Sequence, residues 1–200
     1  MQAVGVGGIL PELAYVESLL RALAAQVQVG EAVQPWQLGA LSPCPGWSVR
    51  DVMNHSLGVT LKFADFASGV TDHPHPRSGD LVGADHRAAL RAAAEAAHAV
   101  WVTTNSARRC HLPFATFSAD LAAGCNLVDV LAHTWDIASA TGTDLECPGE
   151  LWEIGLEAAR AVIGADRDLR HYAPAFVVGC RATARSRFLG FVGRVDSTSG

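Results

Sequence analysis

The stretch Ala119–Thr141 constrains the fold more than any other part of the chain. It contains no proline and stops at Gly142, and its spacing predicts one long helix. Taking Asp129 as the origin and about 100° per residue, Asn126 falls near 60°, His133 near 40° and Asp136 near 340°. These four polar groups make a stripe only about 80° wide. Leu127, Val128, Val130, Leu131, Trp135 and Ile137 cover the remaining circumference. A helix that is apolar on most sides belongs in an interior, surrounded by other helices.

Those other helices are legible. Leu10–Val29 carries Leu13, Val16, Leu20, Leu23 and Val27 at helical spacing and is expected to end at Gly30. Ser48 with Asp51 reads as a capping box, with Trp47 as a hydrophobic staple, opening a helix that runs to about Ser68. Asp85–Thr104 is Ala-rich and helical, Pro148–Ile163 forms a fifth helix, and Arg185–Phe191 a short last one. Arg108–Phe117 alternates around a proline and is expected to be extended. The prolines at 35, 43 and 45 mark an irregular connection, and His73-Pro-His-Pro-Arg77 a surface loop. The expected fold is all-α: an antiparallel four-helix bundle over residues 1–143, with a short C-terminal helical extension over 144–200 packed on it. The apolar stretches Phe176–Gly179 and Phe188–Val192 would pack on the bundle or form a dimer contact, so the chain is expected as a monomer or homodimer.

Composition removes several classes of function. Half of the 200 residues are hydrophobic and 18% are charged, so the chain is not disordered. A net charge of −5 gives no basic footprint for nucleic acid or anionic lipid. No apolar run approaches the roughly 18 residues of a membrane span, and Met1–Leu10 lacks the basic start of a signal peptide. The five cysteines are odd in number, widely spaced and form no C-x-x-C, so reduced thiols in the cytoplasm are expected rather than a thiolate zinc knuckle. No phosphate-binding glycine loop, nucleophile elbow or H-E-x-x-H segment is present.

The polar stripe is where chemistry would sit. Asp129-x-x-x-His133 puts two metal-ligand residue types one turn apart on one face. His55, at the edge of the arc made by Val52, Val59, Phe63 and Phe66, is the best third ligand from another helix. From the residues alone three readings stay open: a stripe facing water, a buried hydrogen-bonded network, or a metal site. Asp51 could support His55, although its capping role explains it. Asp136, one turn beyond His133, is the candidate catalytic group, able to orient a ligand or to cap a neighbour. Arg50, Arg108, Arg109 and Arg194 are available to clamp a carboxylate. Cys125 near the start of the long helix reads as a buried structural thiol, and His73 and His75 as solvent-exposed.

Three segments together resemble a known family. Pro45-Gly-Trp-Ser-Val-Arg-Asp-Val-Met-Asn-His55 is similar to the G-W-[TS]-V-R-D-L-x-x-H segment of the DinB-like helical-bundle superfamily. Asp129-Val-Leu-Ala-His-Thr-Trp-Asp-Ile-Ala-Ser-Ala-Thr-Gly142 resembles the [DE]-x-x-x-H-x-W-D-L-A-x-A-T-G segment of its mycothiol-dependent maleylpyruvate isomerase branch, which includes related actinobacterial metal-binding proteins. Arg187-Phe-Leu-Gly-Phe-Val-Gly-Arg194 resembles the close of that branch's C-terminal extension. The resemblance implies a divalent metal held by His55, Asp129 and His133, zinc foremost, with nickel or another ion as alternatives. The family often has Glu where Asp129 stands. Three protein ligands leave positions open, as in catalytic rather than structural sites. The resemblance further implies a low-molecular-weight thiol cosubstrate such as mycothiol. Its thiolate would add to a small electrophile, giving cis–trans isomerisation or S-transfer. Hydrolysis by metal-bound water stays open.

Two further classes compete. In one, the bundle is a repurposed cyclase or ligand-binding protein, with Trp36, Trp47, Trp101, Trp135, Phe63, Phe66 and Phe117 lining an apolar pocket and metal incidental. In the other, it is a small-molecule- or metal-responsive interaction module without turnover.

Overall fold

A computed structural model describes residues 14–71, 79–105, 107–163, 173–179 and 181–196. The chain forms α1 (Ala14–Ala32), a 3-10 turn (Pro35–Gln37), α2 (Val49–Ser68), α3 (His86–Trp101), β1 (Arg109–Leu112), β2 (Ala115–Ser118), α4 (Ala119–Thr141), α5 (Gly149–Ile163) and α6 (Ala184–Phe191). The structure is all-α apart from the β1–β2 hairpin, which pairs antiparallel with Arg109 opposite Ser118 and realises the extended segment read from the sequence. His73, His75, His171 and Cys180 lie outside the described residues.

Helices α1 to α4 form a bundle in which α1 packs on α3 and α4, and α2 on the same two. Their directions follow from contacts at their ends. Asp120 at the start of α4 accepts hydrogen bonds from the Tyr15 and Val16 amides at the start of α1. At the other end Gln37 donates to the Thr141 carbonyl, so α1 and α4 run parallel. His86, opening α3, lies 3.1 Å from the Val33 carbonyl just beyond α1, which makes α1 and α3 antiparallel. Helix α2 runs against α4. As a result the start of α2 and the end of α4 share one end of the bundle.

Local chemistry sets the helix ends. Ser48 and Asp51 form the expected capping box, with the Asp51 amide donating to the Ser48 hydroxyl at 3.2 Å. Asp85 caps α3, and Gly142 closes α4 in the left-handed conformation, φ 67°. Gly30 does not end α1. It is buried inside the helix, and a Cβ there would stand 2.1 Å from Leu90 Cδ1. Its role is close approach of α1 to α3, so α1 continues to Ala32.

Helix α4 is central, as its wide apolar arc requires. Leu127, Val128, Val130, Leu131 and Ile137 are all essentially inaccessible. Helix α5 covers α4 through Leu151, Trp152 and Leu156, and α6 covers α5 through Phe188 and Leu189. Phe188 and Val192 are fully buried, whereas Phe176 and Val177 are exposed. Trp101, Phe63, Phe66 and Trp135 are core side chains, and Trp36 is 79% exposed. Two shallow clefts, of about 400 and 280 Å³, are lined by other residues. Among the described residues no helix is long and apolar enough to cross a membrane.

Candidate metal centre

The shared end of α2 and α4 carries the polar stripe, and a tight loop from the α1–α2 connection closes over it. In that loop the Ser42 amide and hydroxyl both donate to the Trp47 carbonyl at 2.9 Å, and the Trp47 amide donates to the Cys44 carbonyl at 3.0 Å. Pro43 and Pro45 remove donors that would compete with this knot. The result presents Cys44 Sγ and the Trp47 ring to α4. Trp47 stacks on His133 at 23° with centroids 6.2 Å apart, and packs on His55 at 5.1 Å, instead of acting as a distant staple.

His55, Asp129 and His133 come together. His55 Nε2 lies 3.1 Å from Asp129 Oδ1, and His133 Nε2 lies 3.5 Å from the same oxygen. All three ligand atoms fall within 4.8 Å of one another. Ligands at the usual 2.0–2.1 Å from a tetrahedral ion are themselves about 3.3 Å apart, so this spacing fits a divalent ion. Asp129 Oδ2 is buried without a hydrogen-bond partner among the described residues, and so are both amide atoms of Asn126. A convergent carboxylate with an orphaned oxygen is costly unless something bound uses it.

The electrostatics follow from burial and proximity. Burial pushes the Asp129 carboxyl up, but His133 and His55 pull it further down, leaving it below the ordinary carboxylate range. Burial pulls His55 down, and Asp129 more than reverses this, so His55 is raised.

A second layer fixes His133. Asp136 is fully buried, and its Oδ2 lies 2.9 Å from His133 Nδ1. That contact holds the Nδ1–H tautomer and turns the Nε2 lone pair toward Asp129, the arrangement that supports metal-binding imidazoles. Arg194, just beyond α6, grips Asp136 with two nitrogens, at 2.8 Å to Oδ2 and 3.3 Å to Oδ1. Cys44 Sγ donates to Asp136 Oδ2 at 3.1 Å. Burial raises the Asp136 carboxyl, yet the bonds from His133 and Arg194 outweigh it and hold the pKa at about 2. Burial and the Asp136 charge push the Cys44 thiol up to about 12, so it stays protonated and donates. Cys44, His133 and Asp136 also cluster closely enough to suggest an ion, but the Arg194 guanidinium stands against both Asp136 and Cys44 and supplies the positive charge there.

Asp136, read from the sequence as the candidate catalytic group, contacts His133, Arg194 and Cys44. Of the arginines read as carboxylate clamps, Arg194 is engaged by Asp136 and Arg50 by Asp80 and the Gly83 carbonyl. Among the described residues Arg109 reaches only the Thr116 carbonyl, and Arg108 sits beside Gly69 at the far end of α2. Asp51 is spent on capping. Cys125 is pushed up to about 12 by burial, in keeping with a structural thiol. Sequence reasoning missed Cys44. The signal was the Cys directly before Pro45-Gly-Trp47.

An uncharacterised protein of Mycobacterium tuberculosis, in strains CDC 1551 / Oshkosh and ATCC 25618 / H37Rv, is 33% identical over 129 residues, covering 64% of this chain and 68% of the relative. No solved structure matches the chain. The mycothiol maleylpyruvate isomerase N-terminal domain family matches residues 17–138, a span that contains His55, Asp129, His133 and Asp136. With more than half of its length in that match, the chain belongs to the mycothiol maleylpyruvate isomerase N-terminal domain family.

Proposed function

We propose that this protein is a metal-dependent enzyme that activates a low-molecular-weight thiol and presents it to a small electrophile. The observation that carries the reading is the convergence of His55 Nε2 and His133 Nε2 on Asp129 Oδ1, with His133 fixed from behind by Asp136. His55, Asp129 and His133 would hold a divalent ion, zinc or a similar metal, and Asp129 serves in place of the family's frequent Glu. When bound, such an ion supplies acidity to a coordinated thiol, so that thiolate is present near neutral pH.

The chain's own groups do the rest. Asp136 and Arg194 keep His133 oriented, and the Trp47 ring packs on both imidazoles. The thiolate adds to one carbon of an activated double bond, and the electron pair moves to the adjacent carbon. Rotation followed by loss of the thiolate gives isomerisation, and protonation of that carbon gives the S-adduct. Residues 1–143 carry the metal ligands in this reading, and 144–200 deliver Arg194 to Asp136. A mycothiol-like thiol is the cosubstrate, in a cytoplasmic setting.

The test is elemental analysis of untagged protein purified without chelator, beside His133→Ala, followed by cobalt substitution. About one equivalent of divalent metal, lost in the variant, with a thiol-induced change in the cobalt spectrum, is the expected result. A wild-type protein that takes up no metal on reconstitution refutes the thiolate reading. It would turn attention to apolar ligands and to a binding role.

A further inference from the structure

Lys62 is the only lysine in the sequence. It lies on α2 two turns after His55, within about 20° of the same face. Side chains on a helix lean toward its N-terminus, so the Lys62 stem leaves the backbone on the His55 side. The charge environment agrees: Lys62 feels Asp129, and His55 feels Lys62. The side chain is partly buried, with its ammonium 5.7 Å from the centroid of the buried Phe66 ring. Among the described residues no carboxylate lies within ion-pair distance of it.

Charge balance makes this position informative. Asp129 and one thiolate match the two positive charges of a divalent ion, and Arg194 already matches Asp136. Lys62 is left over. A partly desolvated cation held beside a cation-binding centre is unfavourable unless an anion joins it. The other cation acting on the ligands, Arg194, is engaged, so Lys62 is the group with capacity for a ligand's negative charge.

We propose that Lys62 forms a carboxylate subsite beside the candidate metal centre, binding an anionic group of the molecule that occupies the centre's open side. This rests on the metal-centre reading above. The carboxylate could belong to the thiol or to the electrophile, and the probes separate the two. With a single lysine, reductive methylation with 13C-formaldehyde gives one dimethyl-lysine resonance that keeps its charge and reports on this side chain alone. Zinc-loaded protein is titrated with 3-mercaptopropionate, with 2-mercaptoethanol, and with succinate after saturation by 2-mercaptoethanol. In parallel, cobalt spectra give affinities for wild type, Lys62→Met and Lys62→Arg.

A roughly tenfold preference for 3-mercaptopropionate over 2-mercaptoethanol, lost in Lys62→Met and kept in Lys62→Arg, places the carboxylate on the thiol. A succinate-induced shift of the lysine resonance, with succinate affinity lost in Lys62→Met, places it on the electrophile. Unchanged preferences in Lys62→Met together with an unmoved resonance overturn the subsite, while intact cobalt and thiol spectra would leave the metal reading standing. If no metal binds, the metal reading fails on its own. The subsite is then judged by succinate against the lysine resonance of metal-free protein, where no shift refutes it.

Discussion

Replacing Asp136 by Asn tests the second layer of the centre directly. The carboxylate takes bonds from His133, Arg194 and Cys44 at 2.8 to 3.3 Å, and is fully buried. Asn offers one oxygen. If that oxygen stays on His133 Nδ1, the amide N–H2 faces the Arg194 guanidinium, and a buried positive charge loses its counter-ion. Removing one partner of a buried pair costs about 3–5 kcal/mol. The depressed pKa gives an independent scale: a shift from 3.8 to about 2 corresponds to roughly 2 kcal/mol of stability. Because the folded pKa is the lower one, that contribution is present above the unfolded pKa and is lost as pH falls from about 4 toward 2. In urea unfolding of metal-free protein at pH 7, Asp136→Asn is expected to lose roughly 2–4 kcal/mol relative to wild type. The difference should shrink toward pH 2.5. Metal affinity, measured by chelator competition, is expected to fall about 10–100-fold, as for other groups that orient a metal-bound His. Asp136→Asn combined with Arg194→Met should recover part of the stability but not the affinity. A single variant within 0.5 kcal/mol of wild type and within threefold in metal affinity (~ experimental scatter) would refute the arrangement.

Three further outcomes follow from the geometry. Gly30→Ala should destabilise by about 1–3 kcal/mol, because its Cβ would stand 2.1 Å from the buried Leu90 Cδ1; Leu90→Ala should offset much of this in the double variant, and strict additivity in thermal melts would contradict the contact. Ser48→Ala should cost about 1 kcal/mol by removing the α2 cap, seen as a lower urea midpoint at unchanged slope. Cys44, with its thiol pushed up to about 12, should resist iodoacetamide at pH 7.5 in folded protein and react on unfolding; labelling of the native thiol at the rate of a free cysteine would show that it does not donate to Asp136.

Most of the helical order was readable because periodicity and caps are local signals. The Ser48–Asp51 box, the Gly142 stop and the apolar arc of α4 each follow from residues within a few turns of one another. Gly30 misled for a physical reason: glycine serves both a left-handed cap and a close helix crossing, and only the position of Leu90 decides between them. The His55, Asp129 and His133 trio was legible because two members share one helix face and the third sits at an interior edge. Trp47 shows the limit. Its place before the cap suggested a staple, but the knot between Ser42 and Trp47 turns the ring onto the imidazoles. The bond from Arg194 to Asp136 joins positions far apart in the chain, and helical periodicity carries no information about such a contact.

That long-range bond explains why the family match and the structural unit differ in extent. The match stops at residue 138, yet the group that holds Asp136 comes from beyond α6. Its path is built by packing: Gly155 leaves room for Leu131 and Phe188, drawing α4, α5 and α6 into one core, and Phe188 and Leu189 are fully buried there. Arg194 then donates its amide to the Leu189 carbonyl at 2.8 Å, which fixes the chain just where the guanidinium must turn inward. A helix stripe that reads as four polar residues on α4 is thus finished by a residue that arrives last in the sequence. The orientation of His133, and with it the proposed ligand set, depends on the C-terminal segment as much as on the bundle that carries the ligands.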